Sequence, residues 1–194
     1  MKHFDKTSTV SSVEPLSIRL NAKQLRKGFR GKGEVTRNEI YIVLDNVLDT
    51  YNIGSIFRLV DAVAAKKLYL CGDTEIPPNP RIKKASINTT EWVDWSYKET
   101  AAEAIYELRT TNSKLTVVAI EQSTKSVQYD KFDYSLPICL IVGNETHGIS
   151  KEVLKMADGI VELPMFGVNI SLNVMVSLGI VLYKVIEKFD NYKE

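Results

Sequence analysis

Three short segments carry polar side chains where the surrounding pattern is apolar. The first runs Leu163-Pro164-Met165-Phe166-Gly167-Val168-Asn169-Ile170-Ser171-Leu172-Asn173-Val174, and Asn169, Ser171 and Asn173 interrupt a stretch that otherwise reads as buried. Burying amide and hydroxyl groups costs free energy unless each finds a partner. Pro164 removes one backbone donor and Gly167 permits a tight bend, so the segment reads as a loop shaped around a ligand. Its free backbone N–H and C=O groups suit the edge of an adenine. Ser171 and Asn173 flank the start of the final helix, where unpaired N–H groups favour an anionic group.

The second segment, Gly143-Asn144-Glu145-Thr146-His147-Gly148, sets Glu145 between two glycines that permit close backbone approach or positive φ. Here His147 reads as a polar turn residue. The third runs from Asp45-Asn46 through Asn52-Ile53-Gly54-Ser55-Ile56-Phe57-Arg58. With a helix beginning near Asn52, Arg58 falls between one and two turns in, from where a long side chain can return to the strand end. Periodicity alone gives a capping Asn52 and a surface Arg58. Neither a Walker lysine motif nor a G-x-G-x-x-G fingerprint occurs, which counts against nucleotide triphosphatase and dinucleotide chemistry.

The elements that must position these segments alternate. Strands are expected at Ile40–Leu44, Lys67–Cys71, Leu115–Ile120, Ile138–Val142 and Ile160–Leu163. Helices are expected at Asn52–Ala65, Glu99–Arg109, Ser150–Ala157 (capped by Ser150) and Ser171–Phe189, with loops over 73–98 and 121–135. Continuous apolar strands separated by helices indicate an α/β fold, a mostly parallel sheet covered by helices on both faces. All three polar segments then follow strand carboxyl ends, where open α/β sheets bind ligands. The final helix is apolar on nearly all sides, so it should be buried all round. Its second buried surface fits another subunit, most simply in a twofold dimer.

At 194 residues, 44% hydrophobic and 25% charged, the chain suits one well-buried core. No apolar run reaches membrane-spanning length and no signal sequence opens the chain, so the expectation is a cytoplasmic protein without a membrane partner. Cys71 and Cys139 lie in apolar strand-like runs and read as buried thiols, not as a metal site. The net charge of +1 hides an asymmetry: residues 1–37 hold nine Lys/Arg against three acids, whereas the remainder is net acidic. Within this basic extension, residues 16–30 read as an amphipathic helix with Lys23, Arg26, Lys27 and Arg30 on one stripe. Either a solvated basic face or nucleic-acid contact accounts for that stripe; a polyanion partner is the functional reading.

In combination the three segments resemble the SpoU/TrmH branch of the SPOUT RNA methyltransferases over roughly residues 38–187. The carrying residues are Asn52 with Arg58; Gly143, Glu145 and Gly148; and Pro164, Met165, Gly167, Ser171, Leu172, Asn173 and Val174. The resemblance implies residues 38–194 as the catalytic domain, its C-terminal part threaded into a trefoil knot. It implies S-adenosylmethionine bound there by Ile120, Gly143, Leu163, Met165 and Leu172, with no metal. The implied reaction is methyl transfer to a ribose 2′-hydroxyl of RNA, with Arg58, Asn52, Glu145, Ser171 and Asn173 as the catalytic set. Arg58 would hold a phosphate or stabilise the developing alkoxide, Asn52 would position the ribose or Arg58, and Glu145 would hold Arg58 or a backbone turn. A homodimer through the final helix is implied as well. The short basic extension is similar to transfer-RNA members and lacks room for the globular RNA-binding domain of many ribosomal-RNA members, so tRNA is the favoured substrate, rRNA the alternative. A catalytically silent RNA-binding protein of the same fold is a further alternative, against which the full set of matched residues speaks. Arg81, Lys83 and Lys84 would add to the RNA-binding surface. Two positions depart from the pattern: Asn88 stands where glycine is common, and His147 where Arg, Lys or a small residue is frequent.

Overall fold

The computed structural model describes residues 36–189. The helix expected over 16–30, with Lys23, Arg26, Lys27 and Arg30, lies outside the described residues. Seven strands form one sheet: β1 (Asn38–Asp45), β2 (Ala65–Cys71), β3 (Trp95–Lys98), β4 (Thr116–Ile120), β5 (Val127–Gln128), β6 (Ile138–Gly143) and β7 (Gly159–Glu162). Their order is β3-β2-β1-β6-β4-β7-β5 and every pairing is parallel. Among the described residues five α-helices cover it: α1 (Thr50–Ala62), α2 (Pro80–Ser86), α3 (Ala101–Thr111), α4 (Lys151–Met156) and α5 (Val174–Phe189).

The period-2 geometry of a strand sends alternate side chains to opposite faces. Ile40, Ile42 and Leu44 of β1 join a core with Ile53, Ile56, Phe57 and Val60 of α1, Ile82 of α2, and Leu178, Val181, Leu182 and Val185 of α5. Tyr41 and Val43 join the opposite core with Ala104, Ile105 and Leu108 of α3 and Val153 of α4. Two-sided burial is why these strands read as unbroken apolar runs. Both thiols lie inside: burial pushes Cys71 up to about 12 and raises Cys139 further still, which leaves both protonated and inert.

Several expectations are corrected. The 73–98 segment contains α2 and β3. Its prolines concealed the helix, yet Pro80 occupies the first turn, where a missing N–H costs nothing, and Asn79 caps the Arg81 and Ile82 amides. At the end of α2, Ile87 and Asn88 take φ of 51° and 65°, so Asn88 occupies a left-handed position that explains why glycine is common there. The 121–135 loop contributes the edge strand β5. Ser150 sits at the start of α4 without a side-chain cap; its N–H instead donates to Asp45 Oδ2 at 2.8 Å. The last helix begins at Val174, not Ser171, and exposes the stripe Val176, Ile180 and Tyr183 while burying Leu178, Val181, Leu182 and Val185.

The strand order reverses direction around β1, with β2 on one side and β6 and β4 on the other. The connections leaving the carboxyl ends of β1, β4, β6 and β7 therefore meet at one edge of the sheet, the place at which a doubly covered sheet opens a crevice.

Candidate active site

A cleft of about 440 Å³ opens at that edge, lined by residues following β4, β6 and β7 and by the start of α5. Ile120, Gly143, Leu163, Met165 and Leu172 all line it, as do Glu145, Ser171 and Asn173. Asn52 borders the cleft through bonded partners, whereas Arg58 is exposed on α1 and makes no side-chain hydrogen bond or ion pair among the described residues.

Local folding rules explain how Asn52 becomes available. Asp49, not Asn52, caps α1: its carboxylate accepts the Tyr51 and Asn52 N–H groups at 2.8 and 2.9 Å. Asn52 thus sits in the first turn with its own side chain unused by the cap. Its Nδ2 donates to Glu145 Oε1 at 3.0 Å, and its Oδ1 accepts from Asn173 Nδ2 at 3.0 Å. Asn173 in turn caps α5, its Oδ1 accepting the Met175 and Val176 N–H groups at 3.0 and 3.3 Å. These partners fix both amide orientations, since only a carboxylate acceptor and two backbone donors satisfy them. The same cap occupies the N–H groups that the sequence left open for an anion.

Glu145 is the other end of this chain of bonds. Its carboxylate also accepts the Leu48 N–H and the Asp49 N–H, both at 3.1 Å, so it fastens the β6 loop to the turn that starts α1. Arg58 is not among its partners. Burial pushes the Glu145 carboxyl upward, but the Asn52 amide and the backbone N–H groups outweigh it and hold the group below its ordinary value.

Residues that sequence reasoning passed over shape the remaining walls. Asn144 Oδ1 accepts the Thr146 and His147 N–H groups, each at 2.9 Å, and its Nδ2 donates to the Asn46 carbonyl at 2.9 Å. Glu121 Oε2 accepts the Ile149 N–H at 2.9 Å, and Gln122 Nε2 donates to the Ile170 carbonyl at 2.6 Å. Glu121 and Gln122 therefore tie the end of β4 to both ligand loops. The sequence signal was weak, a Glu-Gln pair at a strand end that looked like ordinary loop. The glycines leave no such doubt. A Cβ on Gly143 would lie 2.3 Å from the Gly148 carbonyl carbon and 2.4 Å from the Ile149 nitrogen, a backbone approach that no other residue allows.

The arrangement offers backbone groups and apolar side chains for a flat heterocycle, and three lining carboxylates (Glu121, Glu145, Glu162) with no lysine or arginine among the lining residues. Such a cleft favours a ligand with an apolar body and a cationic centre over a polyphosphate.

The model of the SpoU rRNA Methylase family matches residues 39–183. A tRNA (guanosine(18)-2'-O)-methyltransferase of Aquifex aeolicus is 32% identical over 178 residues, 89% of this chain and 78% of that protein. The protein of the same description from Escherichia coli K12 is 27% identical over 75% of this chain, which spans 62% of its length. Among solved structures, an AdoMet-bound rRNA methyltransferase from Sinorhizobium meliloti superposes with a TM-score of 0.71 at 28% identity, covering 79% of this chain and 57% of that one.

Proposed function

The chain belongs to the SpoU rRNA methylase family, and we propose that it transfers a methyl group from S-adenosylmethionine to a ribose 2′-hydroxyl of RNA. The observation that carries this reading is the convergence of Ile120, Gly143, Leu163, Met165 and Leu172 on one cleft beside the Asn52–Glu145–Asn173 chain of hydrogen bonds.

The cleft fits that cofactor. Its volume lies within the range of small-molecule sites, Gly143 lets the Gly148–Ile149 backbone close up behind the cleft wall where any side chain would push it away, and its acidic lining suits a sulfonium. When bound, S-adenosylmethionine supplies an electrophilic methyl group. The protein must add in-line placement of the hydroxyl and help with its proton. Ser171 and Asn173 sit at the mouth of α5, where they organise the reacting ribose, and Asn52 and Glu145 hold Asn173 and the α1 turn in register. Arg58 holds the RNA phosphate or stabilises the developing alkoxide through its guanidinium charge; it makes no ion pair among the described residues, which leaves that charge for the purpose.

Transfer RNA is the favoured substrate, because the Aquifex and Escherichia relatives are named for it. Ribosomal RNA is the second reading, favoured by the description of the Sinorhizobium structure. Arg81, Lys83 and Lys84 on α2 are exposed and carry no ion pair among the described residues, which supports phosphate contacts there alongside Lys23, Arg26, Lys27 and Arg30. We include the knotted path of the C-terminal segment and a homodimer in this reading. The dimer is supported by apolar surface that a single chain leaves in water: Val176, Ile180 and Tyr183 on α5, with Phe166 at 95% and Val168 at 99% exposure in the adjacent loop.

Calorimetry with S-adenosylhomocysteine tests the cofactor reading, with saturable binding of one molecule per chain expected and no binding contradicting it. Sedimentation of the same sample tests the dimer: a monomer mass at micromolar concentration would overturn that part.

A further inference from the structure

Helix α1 presents a second functional stripe. Tyr51, Ser55 and Arg58 follow one another at i, i+4 and i+7, so they share one face, with Tyr51 and Arg58 roughly 10 Å apart along the axis. The opposite face, Ile53, Ile56, Phe57 and Val60, is buried. On the outer stripe, Tyr51 is 52% exposed and Arg58 is exposed as well. The phenol of Tyr51 makes no hydrogen bond among the described residues, which leaves its half-exposed ring open to a partner from outside. The neighbouring Leu48 is 50% exposed.

This lip is rigid where it matters. The Tyr51 N–H is held by Asp49 Oδ1 at 2.8 Å, and the Leu48 and Asp49 N–H groups are held by Glu145. A large aromatic side chain in water costs apolar exposure, and it stands one residue from Asn52 at the border of the cleft. Unstacked RNA bases are bound by such rings, and stacking tolerates any base because each has a π-face.

We propose that Tyr51, flanked by Leu48, is the stacking platform for an unpaired base next to the reacting ribose, with Arg58 on the same stripe taking a phosphate of that strand. The inference rests on the RNA methyl-transfer reading of the same site. It adds a contact that holds the nucleotide by its base face, without reading its identity.

The test uses the full chain, unmodified transcribed tRNA and rRNA fragments as the RNA probes, and steady-state methyl transfer. Tyr51→Ala is expected to raise KM for RNA by about ten- to a hundredfold, with kcat changed far less and S-adenosylhomocysteine affinity unchanged. Tyr51→Phe, which keeps the ring, is expected to stay within about twofold of the parent chain. The inference is overturned if Tyr51→Ala leaves KM for RNA unchanged, if Tyr51→Phe is as impaired as Tyr51→Ala, or if Tyr51→Ala acts by changing the sedimenting mass. Absence of methyl transfer by the parent chain to either RNA would instead overturn the methyl-transfer reading, which is how the two failures are told apart.

Discussion

Asn173 Nδ2 donates to Asn52 Oδ1 at 3.0 Å across 121 residues of chain. Through this bond the cap of α5 and the first turn of α1 share one amide pair, and Glu145 holds its far end. The two helices that border the cleft are thereby kept in register by side chains instead of by backbone pairing. Behind that bond, Leu59 packs against Gly179 at 3.5 Å from the position a Cβ would take.

Coupling between Asn52 and Asn173 should be measurable. Asn173→Ala removes the α5 cap and should cost about 1 kcal/mol of stability, and Asn52→Ala should cost less. A double-mutant cycle by chemical denaturation is expected to return a coupling of about 0.5–1 kcal/mol. Strict additivity would mean that the bond contributes nothing to stability.

The stabilising effect of Glu145 should depend on pH in a definite direction. Its carboxyl is held below the ordinary value of 4.5 in the folded chain, so its contribution is fully present above that value and is lost as pH falls through the lowered folded pKa. The Tm difference between the parent chain and Glu145→Gln should be greatest near neutrality and shrink as pH drops below 4.5. A difference that grows with acidification would contradict the bonding scheme.

The strands β1, β4 and β6 were legible because each is a continuous apolar run buried on two faces, β2 because Leu68–Cys71 is, and β7 from the short run Ile160-Val161, of which only Val161 is buried. Edge elements were not. The residues of β5 are exposed and those of β3 half-buried or exposed, so neither carries a hydrophobic signature, and the prolines around α2 read as breakers although one of them serves as a helix start. At the site, residue types and order were legible for Asn52, Glu145 and Asn173, but their mutual bonding was not, because contacts across 93 and 121 residues have no local signal. Periodicity even gave Asn52 the capping role that Asp49 performs.

Gly143→Ala should separate binding from folding. The added methyl meets backbone atoms of Gly148 and Ile149 at 2.3 to 2.4 Å, so the loop after β6 must move. Affinity for S-adenosylhomocysteine is expected to fall by about tenfold or more, corresponding to at least about 1.4 kcal/mol, while far-UV circular dichroism stays unchanged. Calorimetry checks it, and unchanged affinity would remove this loop from the cofactor site.

Arg58 substitutions should spare the cofactor. Because Arg58 does not line the cleft, Arg58→Ala is expected to keep parental S-adenosylhomocysteine affinity while losing at least about a hundredfold in methyl transfer, the scale on which single electrostatic donors act. Arg58→Lys keeps the charge and should retain part of the activity and RNA binding. Normal RNA binding by Arg58→Lys with no transfer at any pH would rule out simple charge stabilisation.

The most direct test of the account is the chemical identity of the product. Unmodified tRNA and rRNA transcripts are incubated with the full chain and isotopically labelled S-adenosylmethionine, digested to nucleosides and resolved by mass spectrometry. The account predicts label in a 2′-O-methylated nucleoside, in a linkage resistant to alkali, and its loss with Arg58→Ala. Label on a base, or no label in either RNA from a chain that binds S-adenosylhomocysteine, would contradict it.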